Sequence, residues 1–254
     1  MKKILDSLTG ALLAVWGSLM FVLSMLIFWI PIWILIIFPE PKRSKIFIPM
    51  SRIWMRLFFF LSGLRLKVKG KENFAPGENY VVVCNHNSFM DVPLSSPFIP
   101  GANKTIAKHE FVKVPLFGMI YRRGSVLVNR KSEQSRKESY QAMRQVLEMG
   151  MHMCIYPEGT RNRSGEHLKS FQDGAFKLAV STRKAIIPTL IFHTGLVLPA
   201  NKPFYFRPIP IGIHFLEPVA VDEHTDAQEL KERVYKIMWD YLESRKLGNG
   251  RYRL

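Results

Sequence analysis

Acid is scarce in this 254-residue chain: 20 Asp and Glu face 36 Lys and Arg, a formal charge of +16. That imbalance points to an anionic partner, either nucleic acid or the cytoplasmic face of an anionic bilayer. Cysteine is nearly missing as well. Cys84 and Cys154 give no basis for a disulfide framework. Each lies in a short apolar run, 80–84 and 153–156, where a thiol acts as a small buried hydrophobe. Two reduced core thiols fit a reducing compartment. Several chemical signatures are missing too. Without a Gly-x-Ser-x-Gly elbow, a serine-dependent α/β-hydrolase is disfavoured. Without a Walker A loop or Gly-x-Gly-x-x-Gly, nucleotide use has no support. The seven histidines show no paired metal-ligand spacing, so no metal is expected. No internal repeat or low-complexity tract occurs.

A further absence is local. Between Asp6 and Glu40 there is no charged residue, and the stretch is rich in Leu, Ile, Phe, Met and Trp. A membrane span needs ~20 apolar residues, so the run is long enough. It is too long for a cleaved signal peptide, and no small-residue cleavage site follows. Pro31 is expected to kink or break a helix there. The next segment, 46–64, places Arg52 and Arg56 on one helical face, with Ile53, Trp54, Leu57, Phe58, Phe60 and Leu61 on the others. That pattern predicts an amphipathic helix in the interface, its arginines at lipid phosphates. Lys42, Arg43 and Lys45 join the two. Residues 1–63 are therefore expected to form a membrane-associated helix pair, and 64–254 a globular domain. Either one span places the globular part in the cytoplasm, by the dense Lys and Arg that follow it, or both helices dip into one leaflet. The expected location is the inner, cytoplasmic membrane, with the globular part on the cytoplasmic side.

From residue 64 short β-rich runs alternate with helical stretches. Strands are predicted at 64–69, 80–84, 104–107, 126–129, 153–156, 186–191 and 211–216. Such alternation predicts an α/β fold with a mostly parallel, buried sheet and flanking helices. Residues 132–149 read as a helix with Ser132 as N-cap and Tyr140, Met143, Val146 and Leu147 on its apolar face. Residues 225–245 read as another, opened by a Thr225-x-x-Gln228 capping box.

Chemistry concentrates at two strand ends. After the strand closed by Cys84 comes Asn85-His86-Asn87-Ser88-Phe89-Met90-Asp91. Five residues along a helix amount to roughly 140° of rotation, so His86 and Asp91 meet only if the loop folds back. Ser88 is a good N-cap, which would put Asp91 at the third helical position as its capping partner. In the functional reading Asp91 instead fixes the His86 tautomer and leaves the other ring nitrogen basic toward a substrate hydroxyl. The second run is Tyr156-Pro157-Glu158-Gly159-Thr160-Arg161. Gly159 allows close backbone approach, Thr160 offers a hydroxyl, and Arg161 a planar fork suited to phosphate. Read alone, this run is also an ordinary turn with a solvated ion pair. Arg130, Arg163, Lys108 and Lys169 are available to extend an anion pocket.

His86-x4-Asp91 and Tyr156-Pro157-Glu158-Gly159-Thr160-Arg161 resemble the first and third signature blocks of the glycerolipid acyltransferase family, whose best-known members are the lysophosphatidic acid acyltransferases. Gly124-Ser125-Val126-Leu127-Val128-Asn129-Arg130 and Ile186-Ile187-Pro188-Thr189 resemble the second and fourth, in the same order. The resemblance implies a glycerol-3-phosphate acyltransferase-like α/β fold. It also implies acyl transfer from a thioester to the free sn-2 hydroxyl of lysophosphatidic acid, giving phosphatidic acid. His86 would deprotonate that hydroxyl for direct attack, and Asp91 would orient His86. Glu158, Gly159, Thr160, Arg161 and Arg130 would hold the acceptor and its phosphate, with Lys108 beside them. No cofactor is implied, and the acyl donor is coenzyme A or acyl-carrier protein thioester. Two departures stand out: Tyr156 replaces the usual Phe, and Asn129 a frequent acidic residue. Both lie near the acceptor, so lyso-ornithine lipid and glycerol 3-phosphate stay open as acceptors. A non-catalytic membrane-surface lipid-binding protein would not call for a His–Asp pair at a strand end. Nucleic acid is not expected, because the aromatics cluster in apolar runs instead of alternating with Lys and Arg.

Overall fold

The computed structural model describes residues 2–129, 132–202, 204–248 and 250–254, with side chains from residue 5 onward. The chain opens with α1 (Lys2–Ile34), a single-turn 3₁₀ segment at Leu35–Ile37, and α2 (Lys42–Leu61). Pro31 does not break α1, which runs three residues further before it tightens at Leu35. Among the described residues one helix, Leu5–Ile37, is long and apolar enough to cross a membrane, its most apolar stretch of 18 residues having a mean hydropathy of 2.7.

After this helical hairpin come β1 (Leu66–Lys69), β2 (Val81–Cys84), α3 (Asp91–Ser95), β3 (Asn103–Lys108), α4 (Phe117–Gly124) and β4 (Ser125–Val128). Then follow α5 (Glu133–Glu148), β5 (His152–Ile155), α6 (Gly174–Thr182), β6 (Ile186–Phe192), α7 (Thr194–Val197) and β7 (Ile211–Phe215). The chain closes with α8 (Ala227–Ser244) and a small hairpin of β8 (Lys246–Gly248) and β9 (Arg251–Tyr252). Seven strands form one sheet in the order β1-β7-β6-β2-β5-β3-β4. Its one antiparallel junction is β6–β7, so β1 and β7 run against the other five. All seven predicted strands are present, and the mostly parallel α/β architecture is as expected.

The centre of the sheet follows from composition. The β2, β5 and β6 segments are buried at every position, as a strand covered on both faces requires. At the edge, β1 alternates: Leu66 and Val68 turn inward while Lys67 and Lys69 face water, which blunts an open edge. Successive side chains point to opposite faces. Val82, Cys84 and Ile187 therefore pack with Trp54, Phe58 and Leu94 on one side. Val81, Val83 and Met153 pack with Leu147, Leu178 and Val234 on the other.

Two local readings need correction. The α8 helix starts at Ala227 and is capped by Asp226, whose carboxylate accepts from the Gln228 and Glu229 amides at 2.7 and 3.0 Å. The Thr225 hydroxyl is instead committed to Asp222 at 2.7 Å, so the expected box does not form. In contrast Ser132 caps α5 as predicted, accepting from the Ser135 amide at 3.2 Å.

The second correction concerns Arg52. It does not face outward with Arg56; it donates to the Pro97 and Ile99 carbonyls at 2.6 and 3.1 Å. These carbonyls lie past the end of α3 at Ser95, in the turn that leads to β3. Arg56 is exposed, as are Ile53 and Phe60. The hairpin is thus built into the globular part. Trp54, Met55, Phe58 and Phe59 belong to the core under the sheet, and Lys104 of β3 reaches Glu40 between the two helices at 2.7 Å. Both halves of α1 also lie against the rest. Near its start the Gly10 carbonyl accepts from the Phe206 amide at 3.1 Å, and further along the Trp54 indole donates to Ser24 at 3.0 Å.

Candidate active site

The site begins where β2 ends. Asn85 continues the ladder with its side chain, donating to the Ile191 carbonyl at 3.0 Å and accepting from the Ile191 amide at 2.7 Å. The strand end is thereby tied to β6, and the chain then turns sharply back. Asp91 holds that turn: its Oδ2 accepts from the Asn87 amide at 2.6 Å and the Ser88 amide at 2.8 Å. The same oxygen lies 2.7 Å from His86 Nδ1. The helix starts at Asp91 itself, not at a residue following a Ser88 cap. Ser88 instead donates to the Leu198 carbonyl at 2.9 Å and accepts from the Met90 amide. The carboxylate thus serves both readings at once, as a turn-former and as the partner of the imidazole.

Asp91 is fully buried, while the His86 side chain is 19% exposed. A buried carboxylate on Nδ1 keeps the proton on that nitrogen and turns the lone pair of Nε2 outward. The imidazole lies against the Tyr156 ring, centroids 4.5 Å apart, and the Tyr156 hydroxyl is fixed by Ser95 at 2.7 Å. Both residues line a cavity of about 1340 Å³, which runs from this polar end between α1, α2, β3 and α4. Its far walls are apolar, with Phe21, Met25, Trp54, Met55 and Phe58 from the N-terminal hairpin.

The second run wraps the other side of the loop that carries His86. Gly159 takes a left-handed φ of +71°, a conformation that favours glycine. Glu158 is buried, and its two oxygens accept from the His86 amide at 2.7 Å and the Lys169 amide at 3.1 Å. The Asn162 amide donates to the His86 carbonyl at 2.6 Å. His86 is thus held by its backbone on both sides. Burial pushes the Glu158 carboxyl up to about 7, against the pull of those two amides and with the Asp91 charge adding to the rise. The expectation that Glu158 holds the acceptor meets a different geometry: its carboxylate braces two loops and lies behind the cavity wall.

Gly159, Thr160, Arg161, Lys108 and Lys169 all line the cavity near His86. Lys169 donates to the Thr160 hydroxyl at 2.8 Å. The Arg161 guanidinium lies over the Phe89 ring, 3.7 Å from its centroid. Partial burial and the neighbouring charge of Arg163 hold its proton less tightly, and Asp91 acts the other way. Lys108 is exposed at the end of β3. Arg130, expected to join this rim, lies outside the described residues. Among the described residues no group of His, Cys, Asp and Glu is arranged to hold a metal ion. Behind the site Cys84 and Cys154 are buried and unbridged, sulfurs 3.7 Å apart. Burial, the neighbouring Cys154 and the Asp91 charge raise the Cys84 thiol well above its usual range, so it stays protonated.

Sequence reasoning missed Asn85 as a side-chain extension of β2, Tyr156 as the ring under His86, and Phe89 beneath Arg161. Only Tyr156 left a signal, as a departure from the usual Phe.

Comparison with known proteins agrees with this geometry. A sequence model of the family described as Acyltransferase matches residues 65–192. A protein of Cocos nucifera named 1-acyl-sn-glycerol-3-phosphate acyltransferase is 30% identical over 195 residues, covering 74% of this chain and 61% of that protein. One of the same name from Borreliella burgdorferi is 30% identical, covering 58% of each. The alpha form from Homo sapiens is 30% identical, covering 70% of this chain and 64% of its own length. The chain thus spans about 60% of the length of these relatives. The solved 1-acyl-sn-glycerophosphate acyltransferase of Thermotoga maritima has the same fold, with a TM-score of 0.79 at 22% identity over 98% of this chain and 100% of that one. The matched segment runs from the residue before β1 to the end of β6 and holds His86, Asp91 and the Glu158–Arg161 turn, so this chain belongs to the acyltransferase family.

Proposed function

We propose that this chain moves a fatty acyl group from a thioester to the sn-2 hydroxyl of lysophosphatidic acid, giving phosphatidic acid for phospholipid biosynthesis. The observation that carries the reading is the 2.7 Å contact of His86 Nδ1 with buried Asp91, at the polar end of an apolar cavity rimmed by cations. His86 Nε2 takes the hydroxyl proton as the oxygen attacks the thioester carbonyl carbon. The new C–O bond forms, the C–S bond breaks, and the departing sulfur takes the proton back from the imidazolium. No acyl-enzyme is needed. Asp91 stabilises the transient positive ring. Arg161 and Lys108 face the acceptor phosphate, and Thr160 with Lys169 completes the rim. The donor is the thioester of coenzyme A or acyl-carrier protein, and the apolar reach of the cavity takes its chain. The names of the relatives support this acceptor.

The same reading places the protein at a membrane, with α1 and α2 in one leaflet of the inner membrane and the catalytic part on the cytoplasmic side. An in-plane arrangement is supported by contacts of α1 with the globular part: a helix held at Gly10 by Phe206 and again at Phe21 by Phe117 of α4, ring centroids 6.3 Å apart, lies along the domain. Its outer residues, Leu12, Leu19, Leu26 and Ile30 among them, are exposed and apolar. In vesicles, Ser7→Cys and Pro39→Cys proteins should both react with an impermeant thiol reagent from the same side. Labelling from opposite sides would establish a span.

The acceptor is tested with the purified full chain, one acyl donor, and lysophosphatidic acid, glycerol 3-phosphate and lyso-ornithine lipid in parallel. Lysophosphatidic acid should give the highest kcat/KM. Preference for another acceptor overturns the head-group assignment and leaves the acyl-transfer chemistry standing.

A further inference from the structure

Phe89 lies between His86 and Asp91 in sequence yet stands outside their hydrogen bonding, with its ring half exposed at the cavity wall. Two groups hold that ring. The Phe111 ring meets it edge to face, 5.9 Å between centroids at 81°, and Phe111 is backed in turn by Tyr121 at 5.6 Å. Against it lies the Arg161 guanidinium, its central carbon 3.7 Å from the centroid. At that separation the guanidinium plane must lie along the ring, because an edge-on approach would drive an N–H group into it. Among the described residues Arg161 makes no ion pair or hydrogen bond, and the charge of Asp91 reaches it without contact, so the ring is what fixes its plane.

A guanidinium held by its face keeps all its N–H donors in the open, pointing outward in one plane. That is the presentation a phosphate needs for two parallel hydrogen bonds. An arginine left loose would have to be ordered at the moment of binding, which weakens the complex. We propose that Phe89 is a positioning residue for the acceptor: it stacks Arg161 so that the fork faces the phosphate beside His86. The proposal rests on the reading of Arg161 as a phosphate ligand. It makes the ring of the first block and the arginine of the third one functional unit, and it assigns Phe89 an effect on acceptor affinity and not on proton transfer.

The test is a kinetic cycle on the full chain with lysophosphatidic acid: Phe89→Leu, Phe89→Tyr, Arg161→Ala, and Phe89→Leu with Arg161→Ala. Loss of an exposed cation–π contact predicts an acceptor KM raised roughly three- to fivefold in Phe89→Leu. The donor KM and kcat should stay near wild type. Phe89→Tyr keeps a π face and should restore the acceptor KM. In the Arg161→Ala background the Phe89→Leu change should add nothing. The proposal is overturned by a fall in kcat with acceptor KM unmoved, by failure of Tyr to rescue, or by an equal effect with and without Arg161. Failure of the acceptor reading looks different, because it appears in the unaltered chain as equal use of lysophosphatidic acid and monoacylglycerol. A repeat of the cycle by calorimetry, with glycerol 3-phosphate binding to His86→Ala protein, judges the stacking role apart from turnover. Equal affinities with and without the Phe89→Leu change in that background would end it.

Discussion

The loop from His86 to Asp91 and the rim from Lys108 to Lys169 lie side by side and are built on opposite terms. In the loop the fixing contacts are many: one Asp91 oxygen takes three donors, Ser88 reaches Leu198, and Glu158 and Asn162 clamp the His86 backbone. On the rim Arg161, Lys108 and Lys169 form no ion pair among the described residues, and the side-chain contacts of Lys169 and Arg161 are a hydroxyl and an aromatic face. The proton transfer proposed for His86 tolerates little positional error, and its ring and backbone are held accordingly. Anion recognition needs donors left open for the ligand, so the rim is not held in this way. Fixed polar atoms at one end and unclaimed charge at the other are what a group-transfer site requires.

The comparison can be broken at its rigid side first. His86→Ala should cut turnover by roughly 10²–10⁴, the usual contribution of a positioned base, with the melting temperature and vesicle binding close to wild type. A folded variant that turns over normally would remove the imidazole from the mechanism. Asp91→Asn is the sharper probe, because an amide oxygen can still accept from the loop amides. It should therefore fold, yet lose activity by roughly 10²-fold or more, since the amide no longer stabilises the charged ring. Near-normal turnover would leave Asp91 with its turn-forming role alone.

On the open side the effects should be smaller and confined to one substrate. Arg161→Lys replaces a planar fork by a point charge and loses the stacking geometry. Its acceptor KM should rise roughly tenfold, the worth of one charged hydrogen bond, while the donor KM holds. Equal changes in both constants would take Arg161 away from the acceptor.

The smallest expected effect belongs to Glu158, which separates the two regions. Its carboxyl titrates near 7 in the folded chain against an ordinary value of 4.5. Between those values the folded state holds more proton than the unfolded one, so this group's contribution to stability rises as pH falls from 7 toward 4.5. Thermal melts of the wild type against Glu158→Gln should diverge in that window, with the wild type gaining as the pH falls. A constant difference across it would show that the carboxylate stays ionised.

Much of this was legible in the sequence, and the failures share a cause. The strands announced themselves as short β-branched runs bounded by Gly, Pro and Asn, and the buried ones lacked alternation altogether. His86 and Asp91 were recoverable because each follows a strand end within a few residues of the other. Arg52 was misread because its partners, the carbonyls of Pro97 and Ile99, are more than forty residues away. Local helical periodicity sees an arginine on a polar face and sends it to water. The bracing role of Glu158 was out of reach for the same reason, since the amides it serves belong to His86 and Lys169 on two different loops. The Thr225 box failed locally instead: Asp226, a stronger acceptor one residue on, took the cap.

The pairing of β1 with β7 has a consequence for the order in which the molecule is made. The first strand to leave the ribosome hydrogen-bonds the seventh, and the Gly10 carbonyl waits for the Phe206 amide. Neither the start of α1 nor the sheet edge can find these partners until most of the chain exists, a delay on the order of 10 s or more at ordinary rates of synthesis. For that interval the most apolar helix of the protein has only α2 to rest on, through Trp54 against Ser24 and Phe58 against Phe21. Chains arrested before residue 205 should therefore leave α1 open to protease in solution and protected when lipid vesicles are present. Equal protection in both conditions would mean that the hairpin finds its shelter within the nascent chain.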